Sequence, residues 1–403
     1  MSDKKNVILL SIDSLRADRC GYMGYRKGTT PAIDELAAEG LQFTNAIAPA
    51  GSTRGSMTAI TTGTYPFERP EEKSIGDRLR GHMRARDTIA ERFSRMGYET
   101  GAFTANPWAS RQFGYDTGFD TFEDFLDDTA ATKYHTDDSV GGIQGGVERM
   151  LDWWKGQEMF MSWESYYDDI REWLATATEP YFLWIFTVDV HMPYIPPASF
   201  RRASLPTVYA ANSWLFGGAN ERLERLFRDP LLAAYDDTIR YTDSMVDRLY
   251  SEIDRDTLLC VHADHGELFG EHGQWGHGKL YEPVCNVPLI VANAPTETIE
   301  RPVSLHMIPD LLTGLARGET PSVSEPYVTA RNNHGMRIVR GHNWRYQQEV
   351  EDESVAIQTD GDWTPQSKHP LYEIGRSISD AAARTDREQT GIVAGVRSNK
   401  AQL

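Results

Sequence analysis

The sequence predicts an α/β protein with a doubly wound, mostly parallel central sheet flanked by helices. Two observations carry this expectation. Continuous apolar runs at residues 6–12 (NVILLSI) and Tyr181–Thr187 (YFLWIFT) read as strands buried on both faces, because neither alternates apolar with polar residues. Between such runs lie segments with the three-to-four-residue spacing of amphipathic helices, and strand–helix alternation is the mark of a parallel sheet covered on both sides.

The elements follow in order. After the first strand, Pro31–Glu39 reads as a helix with Thr30 as its cap and Pro31 in its first turn. Leu41–Ile47 is the next strand, 55–62 a short helix, 88–96 an amphipathic helix and 98–105 a strand. An aromatic, helical stretch covers about 147–178, with Trp153, Trp154, Phe160, Trp163, Tyr166, Tyr167 and Trp173, and is expected to be core or interface. Tyr181–Thr187 is a strand, 230–253 a long helix, 257–262 and Asn286–Ala292 strands, and 308–315 a helix. Beyond about residue 325 the runs shorten and alternate (327–330, 336–340, 344–349), which predicts a small antiparallel sheet. The organisation expected is a catalytic α/β unit over 1–325 and a small C-terminal α+β part over 326–403.

Charge and composition remove several functions. There are 41 basic and 59 acidic residues, a net charge of −18, so no general field attracts nucleic acid phosphates. Nine of the basic residues are lysine and 32 are arginine, and the acids are dispersed. That balance resembles proteins of salt-rich cytoplasm, so a halophilic protein is expected. Three cysteines (Cys20, Cys260, Cys285) exclude a disulfide scaffold and a four-cysteine zinc module, and buried reduced thiols are expected. No apolar run reaches the ~18 residues of a spanning helix. The run at 6–12 is too short for a secretory signal, which gives a cytoplasmic expectation.

Ligands of a doubly wound sheet bind at the carboxyl ends of its strands. Reading only those ends gives Asp13-Ser14, the turn Gly51-Ser52-Thr53-Arg54-Gly55, the segment Thr187–His191, and Asp264-His265-Gly266-Glu267 followed by a glycine-spaced run from His272 to Lys279. Carboxylates and imidazoles delivered to one rim are the pattern of a hydrolytic metal site. A hydroxyl at a helix N-terminus adds a nucleophile where backbone N–H groups favour an anion.

The constellation resembles the sulfatase branch of the alkaline phosphatase superfamily. The likeness lies in NVILLSIDSLRADRCGYMGY, TTPAIDELAAEGLQFTNAIAPAGSTRGSMTAITTGTYP, NPWASRQFGYDTGFDTFEDF, TVDVHMPYIPP, ADHGELFGEHGQWGHGKLYE, NVPLIV and HPLYEIG. It implies that fold, and residue by residue it implies metal ligation by Asp13, Asp264 and His265, with Thr53 as fourth group and nucleophile. His191 and His277 match groups contacting the transferred anion or leaving group. Asn106 and Lys279 are candidates for the anion's oxygens, and Arg54 is expected to bind substrate.

The departures from the family pattern are specific. The branch carries a Cys/Ser-x-Pro-x-Arg motif that is oxidised to formylglycine. Here Thr53 stands at the Cys position, Gly55 at the Pro and Met57 at the Arg, so no formylglycine is expected. The common Asp-Asp pair is Asp13-Ser14, one carboxylate fewer. One divalent ion (Mn, Zn, Mg or Ca) is expected, a second being open through Asp189, His191 and His277. A threonyl ester lacks the hydrate collapse by which formylglycine expels sulfate. The favoured substrates are therefore phosphate or phosphonate esters of a small molecule, glycan or lipid. Sulfate ester hydrolysis without formylglycine, phospho-alcohol transfer to a glycan or lipid, and an inactive binding homologue are the alternatives. A homo-oligomer is open.

Overall fold

A computed structural model of the chain describes residues 4–65, 74–125, 161–320, 325–332, 335–349, 352–359, 362–367 and 369–400. The main-sheet strands are β1 (Val7–Ile12), β2 (Leu41–Ile47), β3 (Glu99–Thr104), β4 (Thr121–Glu123), β5 (Tyr181–Thr187), β6 (Leu258–Ala263), β9 (Asn286–Ala292), β10 (Glu297–Ile299) and β11 (Val303–Ser304). A two-residue pair, β7 (Leu268–Phe269) with β8 (Trp275–Gly276), lies above the sheet's rim. The sheet order is β10-β2-β9-β6-β1-β5-β3-β4, with β11 beside β2. β1 pairs in parallel with β5 and β6, β3 with β4 and β5, and β9 alone runs antiparallel, to both β2 and β6. The fold expected from the sequence is therefore the fold observed.

β1 and β5 are buried at every position, as continuous apolar runs require of central strands. Register then sets the site. Ile12 pairs with Ala263 of β6 and with Thr187 of β5, so the residues that follow, Asp13 and Asp264, emerge side by side at adjacent strand ends. β2 points the same way, which delivers Thr53 to the same rim.

Several local expectations need correction. Thr30 does not cap the Pro31–Glu39 helix with its side chain; its hydroxyl bonds Asp34 and Gly21 N. Asp243 caps that helix from a distance, accepting from Ala32 N at 2.9 Å and Ile33 N at 3.0 Å. The long helix begins at Glu221 rather than 230 and passes through Pro230 to Glu252. The helix over 55–62 starts earlier, so that Thr53–Thr62 is helical and Thr53 is its first residue. The sequence reading also passed over the helices Ile75–Ala85 and Leu205–Phe216. Of the aromatic stretch, Trp163, Tyr166, Tyr167 and Trp173 are buried core, Trp173 lying where a Cβ on Gly101 would come within 2.5 Å of its ring. Residues 126–160 lie outside the described residues.

The C-terminal sheet is five-stranded and antiparallel, in the order β12 (Tyr327–Arg331), β13 (Arg337–Gly341), β14 (Trp344–Gln348), β15 (Glu353–Thr359) and β16 (Asp362–Gln366). The helix Leu371–Lys400 packs on it through Leu371, Tyr372 and Ile378 against Val339, Tyr346 and Val355. β15, β16 and this helix were not foreseen individually. Among the described residues no helix is long and apolar enough to cross a membrane. Cys20, Cys260 and Cys285 are buried and unpaired with one another.

Candidate active site

Asp13, Asp264 and His265 form the one cluster of three or more carboxylate, imidazole or thiol ligands found among the described residues, with ligand atoms within 4.8 Å of one another. His265 Nε2 lies 3.7 Å from Asp13 Oδ1 and 3.5 Å from Asp264 Oδ2. Its other nitrogen, Nδ1, faces the Gly266 carbonyl at 2.9 Å, which holds the proton there and leaves Nε2 as an acceptor turned into the cluster. Thr53 Oγ1 sits 3.2 Å from the same Nε2. Ser56, one turn along that helix, donates to the Asp264 carbonyl at 2.5 Å and ties the helix to the end of β6.

The turn after β1 is specialised. Ser14 adopts φ 64°, a left-handed conformation unusual for a serine. It thereby donates its amide to Asp264 Oδ1 at 3.2 Å and its hydroxyl to Asp13 Oδ1 at 2.7 Å. A Ser at this position thus buttresses both carboxylates without adding a third. Tyr235 of the long helix clamps the turn, donating to the Ser14 carbonyl at 2.7 Å and accepting from Arg16 N at 3.1 Å. Asn106, after β3, gives Nδ2 to Asp13 Oδ2 at 2.6 Å, so its amide orients a carboxylate of the cluster.

Electrostatics call for a cation here. Burial, then the neighbouring Asp264, raises the Asp13 pKa; burial likewise pushes Asp264 up to about 6. Burial and then His277 bring His265 down to about 4. Asp264 Oδ2 is buried with no hydrogen-bond partner. Two dry carboxylates, an unused oxygen and an imidazole lone pair fit a divalent cation, whose charge offsets the cost of burying them.

Beside His265 stands a second group. His277 lies with its ring 4.5 Å from that of His265 and 5.3 Å from that of His191. Burial alone would lower the His277 pKa, but the Glu267 carboxylate, 3.2 Å from Nδ1, overrides it and lifts it to about 9. Glu267 is fully buried, and although burial works the other way, His277 holds its pKa below the ordinary value. Tyr194 donates to Glu267 Oε2 at 3.0 Å, and Arg16 donates to the Glu267 carbonyl at 3.0 Å. Glu267 thus favours the protonated form of the imidazole beside the cluster.

The sequence-predicted residues therefore divide. Asp13, Thr53, Asp264 and His265 come together; His277, His191 and Asn106 stand around them. Arg54 lies next to Thr53 with its guanidinium 4.4 Å over the Trp108 ring. Lys279 is directed elsewhere, to Glu349 at 3.9 Å. Asp189 accepts from Trp163 N and Thr187 Oγ1, and with His191 and His277 it makes no second ligand cluster among the described residues. Glu267 is read from the sequence at the strand end but without a role, and Tyr235 is not read at all. Glu267 stands in the quoted segment ADHGELFG, where an acid three residues past Asp264 was the available signal; Tyr235 had none.

Known proteins resemble this chain over most of its length. The sulfatase family model matches residues 5–315, well over half of the chain. Human iduronate 2-sulfatase is 25% identical over 72% of this chain, and the chain spans 60% of the length of that relative. The mouse enzyme is 24% identical and the chain spans 59% of it. The phosphonate monoester hydrolase of Silicibacter pomeroyi superposes with a TM-score of 0.65 over 96% of both chains at 16% identity. The lipoteichoic acid synthase LtaP of Listeria monocytogenes gives 0.64 over 97% of this chain and 93% of its own, at 14% identity. The chain belongs to the sulfatase family.

Proposed function

We propose that this chain hydrolyses phosphate or phosphonate esters, mono- or diesters, through a covalent intermediate on Thr53. The observation that carries the reading is the Thr53 hydroxyl at a helix head, 3.2 Å from His265 Nε2, in the position where the family's formylglycine precursor would stand. A threonyl ester offers no hydrate to collapse, so release must proceed by attack of water on the central atom. Phosphorus accepts that route more readily than sulfur.

Asp13, Asp264, His265 and the Thr53 hydroxyl would hold one divalent cation, which when bound lowers the hydroxyl pKa and offsets charge on the oxygens of the transferred group. Two carboxylates, an imidazole and a hydroxyl suit Mn, Zn, Mg or Ca. Thr53 Oγ1, its proton lost to solvent before attack, reacts as the alkoxide, the form it regains when the second step ends; it bonds to phosphorus and the bond to the leaving oxygen breaks. His277 gives its proton to that oxygen, with Glu267 keeping the imidazolium oriented. Water then attacks phosphorus, His277 takes up a proton from it, and the bond to Thr53 breaks. Backbone N–H groups at the head of the Thr53–Thr62 helix favour the anion throughout. Arg54, next to Thr53 and with its guanidinium over Trp108, would meet a negative group on the substrate.

The test is a panel of p-nitrophenyl phosphate, its bis-ester, a phosphonate monoester and the sulfate, with metal-replete protein and Thr53→Ala. Thr53-dependent turnover of a phosphorus ester is expected. Turnover of the sulfate alone, or activity retained in Thr53→Ala, overturns the reading. A product that forms only with an added alcohol acceptor moves it to a transferase.

A further inference from the structure

Thr53 and His277 sit on loops far apart in sequence, over 48–53 and 277–285, yet the reaction proposed above needs both at one phosphorus. The two loops touch backbone to backbone. A Cβ on Gly51 would stand 3.0 Å from the Gly278 carbonyl carbon and 3.1 Å from the carbonyl oxygens of Gly278 and Lys279. The β2–β9 ladder brings the roots of the two segments together, Ile47 pairing with Asn286 and Ala48 N donating to the Cys285 carbonyl at 2.8 Å.

The C-terminal sheet ties the segments a second time, nearer the reacting groups. At the end of β12, Arg331 N donates to the Pro49 carbonyl at 3.0 Å, and the next residue, Asn332, donates Nδ2 to the Gly278 carbonyl at 2.9 Å. Consecutive residues thus take one carbonyl from each loop. Asn332 is itself fixed: its amide donates to the Met336 carbonyl at 3.0 Å, and its Oδ1 accepts from Met336 N at 2.9 Å. With Oδ1 committed, Nδ2 has one direction to point. Beneath, Ile47 of β2, Leu280 and Cys285 of the His277 loop, and Val328, Met336 and Ile338 of the small sheet share one buried cluster. Arg340 Nη2 adds a bond to Glu282 at 3.1 Å.

We propose that Asn332 is a positioning residue: with the Arg331 amide it fixes, beyond the reach of the β2–β9 ladder, the separation between the nucleophile turn and the loop that carries His277. The inference rests on the roles of Thr53 and His277 given above. It assigns to the C-terminal sheet a part in proton donation to the leaving group, although the sheet supplies none of the reacting groups assigned above.

Leaving-group dependence separates this role from a general loss of structure. A p-nitrophenolate departs without a proton, whereas an unsubstituted phenolate needs one. Asn332→Asp keeps the side chain's size and the bond from Met336 N but loses the donor to Gly278. Turnover is measured on matched p-nitrophenyl and phenyl esters of the accepted class, beside metal content and Tm. The expected result is a loss in kcat/KM, which reports the steps up to departure of the phenol and not the later water attack, of about 10-fold or more on the phenyl ester and of less than about 3-fold on the p-nitrophenyl ester. Gly51→Ala, which wedges the same two loops from the other side, is expected to show the same selectivity and serves if Asn332→Asp does not fold. His277→Ala is the reference, with the same selectivity and a larger loss. Equal losses on both esters, or none, in Asn332→Asp and Gly51→Ala while His277→Ala stays selective overturn the positioning role alone. Equal losses in His277→Ala overturn the acid assignment, and the positioning role with it. No turnover of any phosphorus ester by the unaltered protein removes the reading beneath both.

Discussion

The two halves of the site are built by different means. Asp13 and Asp264 leave the sheet at adjacent strand ends whose register is fixed by six paired residues on each side of β1. The cation half is therefore set by the central sheet itself. His277 and Glu267 lie instead on a loop, held by Tyr194, by Arg16 and by the C-terminal sheet. The first half is rigid because strands are rigid, and the second is only as well placed as its contacts. Perturbing the first should abolish the reaction. Perturbing the second should weaken it by degrees and in a way that depends on the substrate.

Substitutions can break or sharpen that contrast. The largest effect is expected from Thr53→Ala, with turnover down by about 10⁴-fold or more, as for loss of a covalent nucleophile. Metal content and the circular dichroism spectrum are expected to stay as in the unaltered protein. Asp264→Asn comes next. Removing one of the two carboxylates should lower bound metal, read by elemental analysis after dialysis, and turnover should fall in step by about 10²-fold and recover partly at high metal concentration. If metal stoichiometry stays at the unaltered level, the cluster is not the cation site. Glu267→Gln probes the loop half: kcat is expected to drop about 10- to 100-fold with metal content intact, more on a phenyl than on a p-nitrophenyl ester. Loss of metal in that variant would join the two halves and end the distinction.

The smallest effect is expected from a buried carboxylate that belongs to neither half. Burial pushes Asp243 up to about 7, against the backbone N–H bonds of Ile33 and Ala32 that pull it down. The folded chain therefore keeps a proton that the unfolded chain releases near the ordinary carboxylate range. Stability from this group is full at low pH and falls as pH rises from that range through 7. Asp243→Asn cannot titrate, and it retains one oxygen for the helix amides. Its cost, about 1 kcal/mol at acid pH for a weakened cap, is expected to shrink as pH rises to 7, with turnover unaffected. A Tm difference that does not change with pH would mean that Asp243 is ionised in the folded protein.

Legibility in the sequence follows the same division. Strands buried on both faces write themselves as unbroken apolar runs, and residues placed at their ends can be read directly; Asp13, Asp264 and His265 were found that way. The Thr30 cap was misread because a remote carboxylate, Asp243, reached the helix amides first. Pro230 looked like a helix start, yet the Glu221–Glu252 helix runs through it, packed on the core by Leu231, Ala234 and Tyr235. Lys279 looked like an anion contact by its place in the motif, but its side chain turns to Glu349, a residue of the small sheet that no local pattern could pair with it. Glu267 and Tyr235 act through side-chain geometry, which spacing alone does not encode.

β9 runs against both of its neighbours. The chain leaves the sheet at Ala263 and re-enters it at Asn286 on the same rim, so residues 264–285 never traverse to the far side. Such a stretch behaves as a cassette spliced between two fixed sockets. Between Glu267 and His277 it can be lengthened or shortened without moving any strand past another. Substrate range in this architecture can therefore diversify by insertion at one place while the cation half is inherited unchanged.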